Sequence, residues 1–315
     1  MDKNSGIYSH MDCFLMTMEL VYDSMQKDFS TMFVNSWRFD YNPIEKALVV
    51  YSFDEYTKKI NSEYLGINVK KIAKEDVNLQ TLKEYIQTYK TVVMTIDCAD
   101  CPWHRGFLQA SIWHACALTG SSDQGVWCTD PFIKGYDPFL VQEATLEYGE
   151  FYYYTETKDV KNIEIETLLR SIASKEAVIH EGIKMIEVFK NDICMAETAM
   201  ELFDFPKDIY LCTITNGLKA ISDYRFQAGY LLESLYKKQA YEENRVYQIY
   251  KMFYDVSDIW LKVQHMVVRL FYEPKRLEKT KVKFESHISN IIETEKKILS
   301  EIKYYAEDTA GKKAV

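Results

Sequence analysis

Several common signatures of function are missing from this 315-residue sequence. It contains no glycine-rich phosphate loop, no HExxH motif and no GxSxG motif, which argues against the commonest nucleotide-binding, zinc-peptidase and serine-hydrolase classes. It also lacks an apolar run of about 18 residues, and its polar start, Met1–Gly6, leads into no signal-peptide core. We therefore expect a soluble cytoplasmic protein that does not act in a membrane.

Cysteines are present, but they form neither a disulfide scaffold nor a complete metal motif. The seven cysteines have no regular spacing, and in a reducing compartment most of them would be free thiols. Cys98 and Cys101 form one CxxC with His104 three residues further on, yet no second CxxC or HxxxH completes a zinc site. We expect no bound metal and no bound cofactor.

An excess of positive charge is absent as well. The 38 basic residues are outnumbered by 47 acidic residues, which gives a formal net charge of −9. Because nucleic-acid binding depends on clustered Lys and Arg, we do not expect a nucleic-acid partner. Small amines, in contrast, are compatible with an acidic surface. The hydrophobic content of 47% excludes wholesale disorder.

The pattern of apolar residues changes once along the chain. Before about residue 157, predicted helices begin at Cys13 and Leu79 and are followed by strand patterns, which is an α+β order. The predicted strands are 91–97, 111–120, 125–129 and 149–155. After residue 157 apolar residues recur at helical spacing, up to a last helix over 277–304 and a frayed tail from 308. We predict an α+β domain at 1–157 and an α-helical bundle domain at 158–315.

Three residues occur in an order that suits thiol catalysis. Cys13 opens a predicted helix, where the positive end of the helix dipole favours the thiolate. His114 begins one strand pattern and Asp130 ends the next, with a turn between them over 121–125. A thiol nucleophile needs a base and a third group that orients the base. Each residue alone is more often structural, but together we predict Cys13, His114 and Asp130 as a catalytic triad.

The segments around these residues resemble a known family. They look like the C39-peptidase-like enzymes of antibiotic assembly, the butirosin-acyltransferase-like group, over about residues 8 to 155. The matching segments are Cys13, Val92–Asp97, Pro102 with Trp103, His114–Gly120, Thr129–Pro131 and, after the nucleophile helix, Trp37–Tyr41. The resemblance implies a papain-like (C39-like) cysteine protease fold ahead of the helical domain.

The same resemblance implies acyl transfer rather than proteolysis. In that family the thiol takes an acyl or peptidyl chain from the phosphopantetheine thioester of a carrier protein and passes it to an amine, forming an amide. The expected partners are an acyl or peptidyl carrier protein and a small amine or diamine, in nonribosomal natural-product biosynthesis that includes thioamide antibiotics. The alternative functions are those of a C39-like cysteine peptidase or of a non-catalytic metabolite-binding protein. A homodimer is a further open alternative for the assembly state.

One feature departs from the papain-like pattern. Such sites commonly carry a Gln shortly before the nucleophile as an oxyanion donor, whereas residues 7–12 are Ile, Tyr, Ser, His, Met and Asp. The backbone N–H of Cys13 can provide one donor, and the candidates for the second are His10 and Tyr8. The candidate substrate-binding residues are Trp37, Trp103 and Trp113.

Overall fold

A computed structural model describes residues 7–49, 61–109, 111–156, 163–204, 207–209, 212–239 and 244–312. These residues form two compact units, one of residues 7–32 with 61–156 and one of residues 33–49 with 163–312. The predicted division near residue 157 therefore misassigns residues 33–49. This segment groups with the helices because the Trp37 ring packs on Phe253 at 5.1 Å and the Phe39 ring stacks on Trp260 at 5.6 Å.

The described residues combine strands and helices, which is compatible with the predicted α+β class. The strands are β1 (Tyr41–Asn42), β2 (Ala47–Leu48), β3 (Ile67–Lys71), β4 (Val92–Asp97), β5 (Trp113–Ser122), β6 (Gly125–Asp130), β7 (Gly135–Val141) and β8 (Glu150–Glu156). The helices are α1 (Cys13–Ser24), α2 (Leu79–Tyr89), α3 (Glu143–Leu146), α4 (Ile165–Ala173), α5 (Glu176–Met195), α6 (Thr213–Lys238), α7 (Asn244–Tyr272) and α8 (Leu277–Lys312). In the part of the chain described, none of them combines the length and the apolar character that crossing a membrane requires.

The first unit is built on a six-stranded antiparallel sheet with the order β3-β8-β4-β5-β6-β7. The predicted strands correspond to β4, β5, β6 and β8 and are confirmed, whereas the edge strands β3 and β7 were not predicted. The helices α1 and α2 pack on the sheet. Buried residues of the central strands, including Met94, Leu118 and Phe151, form the apolar core against α2.

Local signals fix the two helices and the hairpin of this unit. The carboxylate of Asp12 caps α1 by accepting the N–H of Leu15 at 2.8 Å, and the side chain of Asn78 caps α2 by accepting the N–H of Thr81 at 2.9 Å. Between β5 and β6 the chain turns directly after Ser122. The hairpin therefore brings the start of β5 and the end of β6 to the same end of the sheet.

The second unit contains α4 to α8 and the short hairpin of β1 and β2. A Cβ atom at Gly217 in α6 would lie 2.5 Å from the Cβ of Leu48, so the close approach of this hairpin requires glycine. The Arg225 guanidinium pairs with the carboxylate of Glu295 at 2.8 Å, and both side chains are buried. The last helix continues through Lys312, so the prediction of a frayed tail from residue 308 is wrong as far as Lys312.

Candidate active site

The first turn of α1 is tied to β5 at a single strand residue. The hydroxyl of Thr17 lies 2.7 Å from the carbonyl oxygen of Cys13 and 3.1 Å from that of Ala115, and Thr17 is fully buried. The backbone N–H of Ala115 also hydrogen-bonds the Cys13 thiol. Ala115 directly follows His114 in β5. The fold therefore brings the partly buried Cys13 thiol beside the strand segment that carries His114.

The side chains of His114 and Asp130 meet across the β5–β6 hairpin. His114 Nε2 lies 2.7 Å from Asp130 Oδ2, and the exposed fractions of the two residues are only 1% and 0%. Since a carboxylate only accepts hydrogen bonds, Nε2 carries the proton of this bond. In the neutral imidazole Nδ1 is then the basic nitrogen. The pair thus has the tautomer in which Nδ1 can receive a proton from a thiol.

Asp130 is held as an anion by more than its bond to His114. The indole Nε1–H of Trp103 donates to Oδ2 at 2.8 Å, and the backbone N–H of Ile133 donates to Oδ1 at 3.1 Å. Burial raises the pKa of Asp130, but the hydrogen bonds and charge of His114, together with the bond from Trp103, outweigh it, so the pKa is lowered from 3.8. Trp103 was predicted as a substrate contact, and in the structure its indole N–H binds the carboxylate of Asp130.

The surroundings of Cys13 do not favour the thiolate form of its side chain. Burial, followed by the negative charge of Asp12, raises its pKa to about 12, and the charge of Asp130 acts in the same direction. The hydrogen bond from the N–H of Ala115 lowers the pKa but does not compensate. The prediction from the helix start did not consider burial and the capping carboxylate of Asp12, both of which oppose ionisation. The thiol needs a base to become a nucleophile.

A further histidine lies next to His114. The ring of His104 packs against the ring of His114 with a centroid distance of 5.0 Å, and its Nε2 lies 3.5 Å from Cys98 Sγ. Cys101, the other member of the CxxC, is fully buried in the sheet core. Within the described residues no group of His, Cys, Asp or Glu side chains is arranged to hold a metal ion.

The remaining predicted residues belong to different parts of the chain. Trp113 is 54% exposed at the start of β5, directly before His114. Trp37 belongs to the second unit, where its indole N–H donates to Glu295. His10 ends a 3-10 turn, Ile7–His10, and the side chain of Tyr8 lies outside the described residues. The identity of the second oxyanion donor therefore stays a prediction.

Neither a scan against protein-family models nor a search of the curated proteins found a match to this chain. The chemistry of the site is accordingly argued from its own geometry. A thiol lies at the start of a helix, an imidazole is fixed by a buried carboxylate, and the backbone of β5 links the two. These are the parts that nucleophilic catalysis by a cysteine requires. Sequence reasoning missed the contact of His104 with His114 and the bond from Trp103 to Asp130, although a buried tryptophan usually finds an acceptor for its N–H.

Proposed function

We propose that this protein is a thiol-dependent acyl (peptidyl) transferase whose first unit is a papain-like, C39-like catalytic domain. Cys13 is the nucleophile, His114 the general base and Asp130 the residue that orients the base. The observation that carries the proposal is the buried 2.7 Å hydrogen bond between His114 Nε2 and Asp130 Oδ2. It fixes the imidazole in the tautomer that a neighbouring thiol requires.

The first half-reaction transfers the acyl chain to the enzyme. Nδ1 of His114 takes the thiol proton as Cys13 Sγ attacks the thioester carbonyl carbon, and the tetrahedral oxyanion forms next to the backbone N–H of Cys13. The intermediate collapses by breaking the bond to the pantetheine sulfur. The imidazolium returns its proton to this leaving group. Asp130 stabilises the imidazolium during the step, which matches its lowered pKa.

The second half-reaction forms the amide. An amine attacks the acyl-cysteine, His114 accepts a proton from the amine nitrogen, and the Cys13 sulfur leaves and regains a proton. A thioester donor suits this chemistry, because a thiolate leaves a tetrahedral intermediate without the strong protonation that an amide nitrogen needs. This argument favours acyl transfer over cleavage of a peptide bond by a C39-like peptidase.

The proposed donor is an acyl or peptidyl chain on the phosphopantetheine of a carrier protein, and the proposed acceptor is a small amine or diamine. This chemistry fits nonribosomal natural-product biosynthesis in the cytoplasm, including that of thioamide antibiotics. No nucleic acid, membrane, metal or bound cofactor has a part in the proposed reaction. The triad comes from a single chain, so the chemistry does not depend on a homodimer.

Intact-mass measurements on the protein test this proposal directly. The wild type is incubated with a set of acyl-pantetheine thioesters, and a diamine is then added. We expect a mass increase by one acyl group that disappears with the diamine and yields the amide. Cys13→Ala should show no adduct. Cys194→Ala is the matched control, because Cys194 is also partly buried but lies in the second unit, and it should behave as the wild type.

Other outcomes distinguish the alternatives. Discharge of the adduct by water at a rate independent of the amine would indicate a hydrolase or peptidase. Absence of an adduct with every donor, in protein shown to be folded by circular dichroism, would refute the transferase and favour a binding protein. An adduct that persists in Cys13→Ala would assign the chemistry to another cysteine.

A further inference from the structure

His104 is held in one tautomer by the loop that follows β4. The backbone N–H of Gly106 donates to His104 Nδ1 at 2.9 Å, so Nδ1 acts as an acceptor and carries no hydrogen. The proton of the neutral ring must then lie on Nε2, which is 3.5 Å from Cys98 Sγ. His104 is thus a neutral imidazole whose two nitrogens are both engaged within the loop.

The loop is shaped closely around this ring. A Cβ atom at residue 106 would lie 3.1 Å from His104 Nδ1 and 3.3 Å from the Cβ of Cys98, closer than nearly all real Cβ contacts. Glycine at 106 therefore permits the close approach of the donor N–H to the ring. The His104 ring also contacts the His114 ring. The two ring centroids are 5.0 Å apart, and the interplanar angle is 47°.

The surroundings oppose a positive charge on His104. Burial lowers its pKa, the charges of His114 and then Arg105 lower it further, and the charge of Asp130 acts in the opposite direction without compensating. Protonation of Nδ1 would also break the bond from the Gly106 N–H. A further titratable group at the ring is the buried thiol of Cys98, whose pKa is raised to about 11, first by burial. Through the neutral range His104 stays uncharged.

We propose that His104 is a positioning residue for His114. Its neutral ring fixes the plane of the His114 imidazole, and it keeps a second positive charge away from His114 while His114 holds the thiol proton. The inference rests on the proposed function of His114 as general base. Misplacement of a catalytic group by about 1 Å can cost about 100-fold in rate, so loss of this contact should affect the chemical step rather than substrate binding.

Two replacements of His104 distinguish the contribution of the ring from that of its hydrogen bonds. His104→Gln can still accept the Gly106 N–H but lacks the ring, whereas His104→Phe keeps a ring that can never be charged. We expect His104→Gln to lower the rate of acylation of Cys13 by about 10- to 100-fold with KM changed less than about twofold. His104→Phe should retain more activity than His104→Gln. His180→Phe, which replaces an exposed histidine of α5, is the control and should match the wild type.

The pH dependence adds a readout that a merely structural residue would not change. If both imidazoles must be neutral, the acidic limb of the logarithm of the acylation rate against pH should steepen towards a slope of about 2 in the wild type. In His104→Phe the slope should stay near about 1, because one titrating group is gone. Equal slopes, or both folded His104 variants within about twofold of the wild-type rate, would overturn the proposal.

A measurement without turnover distinguishes failure of this inference from failure of the proposed function. Long-range proton–nitrogen NMR of the wild type, with the His104 signals assigned from the spectrum of His104→Phe, reports the tautomer and the charge of the His104 ring. We expect the Nε2–H tautomer and an uncharged His104 ring at neutral pH. An Nδ1–H tautomer, or a charged His104 ring at neutral pH, would overturn the positioning role even if acyl transfer is observed.

Discussion

The bond from Trp103 to Asp130 allows a quantitative test of how the buried carboxylate is held. Trp103→Phe keeps an aromatic ring against Phe139, which the indole contacts at a centroid distance of 4.9 Å, but removes the N–H that donates to Oδ2. Among the described contacts of the Asp130 carboxylate, only the hydrogen bonds from His114 and Ile133 then remain. Because Asp130 is fully buried, we expect that water does not replace the lost donor.

The expected cost follows from the charge of the acceptor. A hydrogen bond to a charged group contributes about 1.5–3 kcal/mol, so Trp103→Phe should lower the free energy of unfolding at neutral pH by about that amount. With a urea m-value of about 2 kcal/mol/M, the midpoint should fall by about 1 M. Circular dichroism is the suitable signal, since the variant changes tryptophan fluorescence. Trp113→Phe, at a position that is 54% exposed, should stay within about 0.5 kcal/mol of the wild type.

A double-mutant cycle separates the hydrogen bond from the loss of indole surface. In the Asp130→Asn background the charged acceptor is gone, so Trp103→Phe should there cost at least about 1 kcal/mol less than in the wild type. If the cost is the same in both backgrounds to within about 0.5 kcal/mol, the indole contributes packing only. That result would refute the role of Trp103 in holding the triad carboxylate.

Three further outcomes are expected. Since the pKa of the Cys13 thiol is raised to about 12, its alkylation by iodoacetamide, followed by peptide mass mapping, should accelerate about tenfold per pH unit between about pH 7 and 9, and a constant rate would contradict a protonated thiol. The lowered pKa of Asp130 stabilises the fold above 3.8, its ordinary value, and this contribution is lost as pH falls through the folded pKa. The difference in urea stability between wild type and Asp130→Asn should therefore shrink below about pH 4, and a difference independent of pH would disprove the linkage. Arg225→Met leaves Glu295 buried without its cation and should lower the free energy of unfolding by about 3–5 kcal/mol. Arg225→Met combined with Glu295→Met should recover most of this loss. A double variant no more stable than the single one would show that the unpaired charge is not the cause.

The elements that could be predicted from the sequence are those with local signals. The caps at Asp12 and Asn78 fix the starts of α1 and α2, and alternating or continuous apolar runs mark the inner strands. The edge strand β7 was missed because it contains Pro138 and the exposed Asp137, which are typical of edges and obscure a strand pattern. Residues 33–49 were misassigned because their packing partners lie far away in the chain.

For the candidate site, the spacing of residues in the sequence predicted which side chains meet, but it did not predict their protonation. The hairpin between β5 and β6 was enough to predict that His114 and Asp130 meet. The protonation of Cys13 depends on burial and on nearby carboxylates, which become known only in three dimensions. The same holds for Trp103 and His104, since both belong to a loop whose shape depends on the glycine at 106.

The shared anchor of Cys13 and Thr17 on Ala115 has a consequence for protein engineering. The proposed nucleophile lies on a helix and the proposed base on a strand, and their register is set by main-chain atoms of one residue rather than by a flexible loop. We therefore expect that loops elsewhere in this unit can be exchanged without changing the distance between thiol and imidazole. Conversely, a graft of this site onto another scaffold must transfer the helix start together with the strand, because neither half carries the alignment alone.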